Sequence, residues 1–154
     1  MELDKEVHIK QVLKRFPPGD RWTPVGAEEP VFSSLTEVFD IGAAYDTSNG
    51  RFTPNVAGIY WVKTCIIWST TSSSTNNAHY TVNVRKNGTT QIRDIIHIDK
   101  QDWWSSECSG LVQLNGSSDY IDVTVWHNRG GDESIEGDNV NKTHFQAYWV
   151  RALT

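Results

Sequence analysis

Residues 39–62 are punctuated in a way that leaves room only for short strands and tight turns. Asn49-Gly50 supplies the positive φ of a hairpin turn, Phe52 follows on a short strand, and Pro54 cannot donate to a ladder. Gly58 then permits a bend or a close backbone approach before a long apolar run opens at Ile59-Tyr60-Trp61. From Phe32 onward the pattern repeats, with β-branched and aromatic runs separated by Gly, Asn and Ser clusters and no helical period. Strands are expected over 59–68, 79–86, 89–98, 107–114, 120–128 and 143–150, with shorter ones near Phe32, Phe39 and Phe52. Tyr80, Val82 and Val84 alternate with Thr81, Asn83 and Arg85, which marks a sheet with one buried and one wetter face.

Three segments carry a family resemblance. Gly50-Arg51-Phe52-Thr53, followed by Pro54, Val56, Gly58 and the Tyr60-Trp61 strand, resembles the signature of the C1q/TNF-like superfamily, with Asn55 inserted between the Pro and the Val. Arg85-Lys86-Asn87-Gly88 is similar to the family's Lys-Asn-Gly hairpin, and Phe145-Gln146-Ala147-Tyr148-Trp149-Val150 to its final strand, with Ala147 where a glycine is usual. The phrasing of residues 46–53 resembles the bacterial and phage versions. The resemblance covers residues 36–154. It implies an all-β fold, a C1q/TNF-like jelly-roll sandwich of about 8–10 antiparallel strands. The expected division is an N-terminal arm and linker over residues 1–30 and the jelly-roll domain over 31–154.

Several strands are apolar on both faces, as in 60–68, whereas a lone sandwich needs one apolar face per sheet. The resemblance implies that the second face meets two further copies around a threefold axis. Tyr60, Trp68, Tyr148 and Val150 are the candidates for this contact, and capping of the sandwich core is the competing reading. The arm is rich in charge up to Arg15 and then turns through Pro17-Pro18-Gly19. Its apolar residues, Leu3, Val7, Ile9, Leu13 and Phe16, fit a helical stripe and strand alternation nearly equally, so its conformation stays open; they are the candidate partner-binding residues.

No catalytic constellation is present: the chain of 154 residues has no Gly-x-Ser-x-Gly elbow, no His-Glu-x-x-His, no phosphate-binding loop and no Cys-x-x-Cys. No enzyme and no cofactor are expected. Asp132, Glu133 and Asp138 make the loop 128–139 rich in carboxylates, which suits either a solvated hairpin or a hard cation such as calcium, with the hairpin favoured. Trp103-Trp104 reads either as a ligand platform for a sugar or a protein, or as one ring in the sandwich and one at a subunit contact. Cys65 and Cys108 are expected as free thiols on strands. The net charge of −5 argues against general affinity for nucleic acid or anionic lipid, and no apolar run long enough for a membrane helix occurs.

The N-terminus is charged and lacks an apolar signal core, from which synthesis in a host cytoplasm is expected. The combined expectation is a non-enzymatic homotrimer on the surface of a virion: a phage capsid decoration (cement) protein holding the major capsid protein through its arm and jelly roll. The alternative is a receptor- or glycan-binding knob of a phage fibre, or a C1q-like recognition module.

Overall fold

The computed structural model describes residues 6–10, 14–16, 36–40, 42–69, 78–98, 102–128, 133–136 and 143–153. The described residues form strands and turns and no helix. In chain order the strands are β1 (Glu6–Lys10), β2 (Lys14–Phe16), β3 (Thr36–Asp40), β4 (Tyr45–Asp46), β5 (Arg51–Phe52) and β6 (Gly58–Ser69). They continue with β7 (Ala78–Lys86), β8 (Thr89–Ile98), β9 (Trp103–Leu114), β10 (Ile121–His127), β11 (Glu133–Glu136) and β12 (His144–Arg151). All pairings are antiparallel, in a 7-stranded sheet built on β6 and a 5-stranded sheet ordered β4-β5-β10-β7-β8.

The larger sheet is organised by the length of β6. β9 runs along one edge of it from Gly58↔Leu114 to Ser69↔Trp103 without a break. The other edge is shared: β12 pairs with Ile59 through Cys65, and β11 takes over at Ile67, Trp68 and Ser69. β1 lies against the far side of β12, from Glu6↔Tyr148 to Lys10↔His144, and β3 closes the edge beyond β1. β2 pairs with β11.

Within the N-terminal segment, expected as an arm and linker, the described residues are those of β1 and β2. Two pieces of residues 1–30 are strands of the sheet that also holds β3, β6, β9, β11 and β12, and β1 has a neighbour on each side. Of the two periods left open, the strand is the one adopted over residues 6–10 and 14–16. The physical reason lies in β12, whose outer edge would otherwise present a row of unpaired backbone groups. Leu3, Leu13 and Phe32 lie outside the described residues.

Hydrophobic burial between the two sheets holds them together. Trp68 packs edge-on to Tyr80, with ring centroids 4.8 Å apart, and His127 stacks on Tyr80 at one end of the core. At the other end Phe52 meets Tyr60 and Phe145, and Phe145 meets Tyr45. Two large core side chains have partners for their polar tips. The Trp68 Nε1–H donates to Ser106 Oγ at 3.2 Å, and the Tyr60 hydroxyl donates to the carbonyl of Val56 at 2.8 Å.

Turn chemistry sets the register of the hairpins. Asn87 and Gly88, at φ 51° and 78°, form the two-residue turn between β7 and β8. The Asn87 side chain ties this turn to its neighbour, donating to Asp119 at 2.7 Å and accepting from the Tyr120 N–H at 3.0 Å. Lys86 bonds Asp119 at 2.8 Å, and this contact, followed by that from Asn87, holds the Asp119 carboxyl below its ordinary range. In the β4–β5 hairpin, Gly50 has φ 71° and its N–H donates to the carbonyl of Asp46 at 2.9 Å.

Gly116 sits at φ 71° in the loop before β10, and a Cβ there would press into the backbone of Val56 and Ala57. Positive φ and a backbone obstacle act together, so Gly116→Ala is expected to destabilise the fold by about 2 kcal/mol or more. The check is a urea titration, in which the midpoint should fall with the slope unchanged.

Candidate functional site: the outward face of the long sheet

Successive residues of β6 point to opposite sides. Tyr60, Val62, Thr64, Ile66 and Trp68 are fully buried between the sheets. Ile59, Trp61, Lys63, Cys65 and Ile67 occupy the alternate positions and form the middle column of the outward face. β9 supplies Trp103, Glu107, Ser109, Leu111 and Gln113 to that face, and β12 supplies His144, Gln146, Tyr148 and Val150.

Register turns these columns into rows. Leu111, Trp61 and Tyr148 are directly opposite one another across β9, β6 and β12. The Trp61 and Tyr148 rings touch, with centroids 5.1 Å apart. Leu111 is 64% exposed, and Tyr148 and Val150 are each 42% exposed. These side chains, with Ile59, make an apolar band on one half of the face.

A polar group borders this band at the middle of the face, and Ile67 and Trp103 lie beyond it. Lys63 and Glu107 form an ion pair at 2.9 Å, beside Ser109 and Gln146. Both side chains of the pair are solvated, so it orients the surface more than it stabilises the fold.

The structure divides the interface candidates. Tyr60 and Trp68 are core residues with no exposed surface, so no partner can reach them in the folded chain, whereas Tyr148 and Val150 lie open on the outward face. Trp61, Leu111 and Ile59 were not among the expected contact residues, and Lys63 is the signal that would have found Trp61 and Ile59. A charged side chain marks the wetter face of a strand, and Trp61 and Ile59 share its parity. The buried column, from Tyr60 to Trp68 in steps of two, carries no charge.

Trp103 and Trp104 do not combine into one platform. β9 already begins at Trp103, so adjacent residues diverge: Trp103 is 55% exposed on the outward face, while Trp104 packs against the sandwich core. Of the acidic loop, Glu133 is a buried residue at the start of β11, while Asp132 and Asp138 lie outside the described residues. Among the described residues no group of three or more His, Cys, Asp or Glu is placed to hold a metal ion. Val7, Ile9 and Phe16 occupy register positions opposite Ala147, Phe145 and Glu133.

The two cysteines stand on opposite faces of one sheet. Cys108 pairs in register with Thr64, and Cys65 with Glu107, one step along β6. Burial, reinforced by the Glu107 carboxylate, pushes the Cys65 thiol up to about 11; burial, with Asp94 adding to it, pushes Cys108 up to about 12.

This sandwich is the C1q/TNF-like jelly roll. Solved structures similar to it include Eiger TNF from S. frugiperda, with a TM-score of 0.67 and 10% identity over 97% of this chain and 94% of that one. The globular domain of zebrafish complement 1qA aligns with a TM-score of 0.62 and 10% identity, over 97% of this chain and 99% of that one. Murine APRIL aligns with a TM-score of 0.61 and 14% identity, over 95% and 98%. No family model and no curated protein matches the sequence. What is shared at such identity is the fold.

Thiols held this far above neutrality react slowly, since the thiolate is the nucleophile. Ellman's reagent at pH 7.5 is expected to leave both cysteines unmodified in the native protein and to modify both promptly in denaturant. Fast labelling of either thiol without unfolding would contradict the burial described.

Proposed function

We propose that this chain is a non-enzymatic homotrimer whose subunits meet through the outward face of the long sheet. The carrying observation is the apolar row Leu111, Trp61 and Tyr148, which stands open on a strand whose opposite side already fills the core. A sheet side of this kind is stabilised by covering it, and exposed aromatic side chains are the residues that dominate such contacts. The threefold arrangement is supported by the likeness to TNF and C1q domains and by the resemblance in residues 50–62.

The finer reading is a virion structural protein, a phage capsid decoration protein that binds the major capsid protein and adds contact surface to the assembled shell. Its support is the likeness of residues 46–53 to bacterial and phage forms of the fold. In this reading the trimer acts by avidity, since three weak contacts held in one rigid body multiply. For the fibre-knob alternative, Trp103 and Trp104 supply no paired platform, because Trp104 packs against the core.

Sedimentation equilibrium at micromolar concentration should return about three times the 17.4 kDa chain mass. Leu111→Glu should shift the protein to monomer while its β-sheet circular dichroism is retained, a cost of about 2 kcal/mol or more per contact side chain. A stable wild-type monomer would remove the proposal.

The virion reading has its own test, and it needs the full chain. Removing residues 1–30 would delete β1 from the sheet, so loss of binding after such a truncation would report misfolding. Full-length protein mixed with undecorated capsids should bind to saturation and raise the shell's disruption temperature; an inert mixture would leave the trimer without this role.

A further inference from the structure

We propose that His79 and His97 form a two-histidine site for a divalent transition-metal ion of the zinc, nickel and copper class. The two residues are direct partners in the β7–β8 register, and their rings lie with centroids 4.1 Å apart at an interplanar angle of 58°. Tyr80 and Ile98, the next residues of each strand, are buried in the core, so the pair stands on the solvent side of the 5-stranded sheet. His97 is exposed there.

Directly opposed side chains on antiparallel strands start from Cβ atoms about 4.5–5.5 Å apart. From that separation two imidazoles reach a common ion at the usual metal–nitrogen distance of about 2.0–2.1 Å by side-chain rotation alone. Imidazole nitrogen selects borderline divalent metals over calcium or magnesium, which take oxygen.

The backbone beneath the pair is held from both sides. The His79 N–H donates to Asn128 Oδ1 at 2.6 Å, and its carbonyl accepts from the Asn128 N–H at 3.2 Å. On the opposite side the ladder from Ala78↔Ile98 to Val84↔Ile92 is regular, and its one irregularity lies beyond Val84, toward the turn. Arginines on this face are engaged elsewhere: Arg93 donates to Asn83 at 2.7 Å, and Arg85 is paired with Asp122 at 2.8 Å. An arriving cation therefore meets an imidazole pair on a fixed frame. Two protein ligands leave positions on the ion for water or for a side chain of another molecule.

The site is on the sheet opposite to the proposed subunit contact, so it stands or falls independently of the trimer. EDTA-stripped full-length protein titrated with Ni2+ should bind one ion per chain by calorimetry. In the imidazole nitrogen spectrum of the wild type, the His79 and His97 signals should broaden first and selectively. His97→Ala and His79→Ala should each weaken binding about tenfold or more. No saturable heat with wild-type protein, broadening centred on His8 or His144, or affinity unchanged in His97→Ala would each overturn the proposal.

Discussion

The ladder between β6 and β9 is the constraint on which the rest of the molecule rests. Its unbroken run from Gly58↔Leu114 to Ser69↔Trp103 fixes the pleat of both strands over their whole length. Because the side-chain period of a strand is two, that register alone decides which residues face the other sheet and which face away. A slip of one position would exchange the uncharged column from Tyr60 to Trp68 for the one holding Lys63, placing an ammonium group in the core. The two edges of β6 then distribute the remaining partners. Gly58, at the start of the strand, keeps the chain close to Trp149, where any Cβ would collide with the indole.

Much of this was legible in the residues themselves. The long strands follow directly from alternation, and Asn87-Gly88 at the β7–β8 hairpin follows from the positive φ that both residues tolerate. Three features were not legible, each for a physical reason. β11 was hidden because Glu133-Ser134-Ile135-Glu136 has the composition of a solvated loop and becomes a strand through the vacant end of β6. β1 was hidden because five residues between charges carry too little periodic signal, and its conformation comes from β12. The parity of β6 was ambiguous because aromatic residues occupy both faces, and only the position of one lysine separates them.

The outward face and the core obey different rules although they share strands. In the core, Trp68 and Tyr60 have bonded their polar tips to Ser106 and Val56, and nothing more is available to a partner. On the outward face, Leu111, Trp61 and Tyr148 form an apolar row, and the Lys63–Glu107 pair borders it toward the middle of the strands. Such a division gives an apolar contact a polar boundary, which favours one docking depth over others. The fold thus separates the side chains that hold the two sheets together from those left on the outward face.

The placement of β1 against β12 also orders events during synthesis. β1 finds β3 within a few tens of residues, but its pairing with β12 joins the first and last of the described strands and waits for most of the chain between them. The 5-stranded sheet, built from β4, β5, β7, β8 and β10, can assemble earlier, whereas the larger sheet closes only once β12 has been made. A closing step between segments so distant along the chain is slow for entropic reasons. Until it occurs, the outer edge of β12 stays open to β-strands from neighbouring nascent chains.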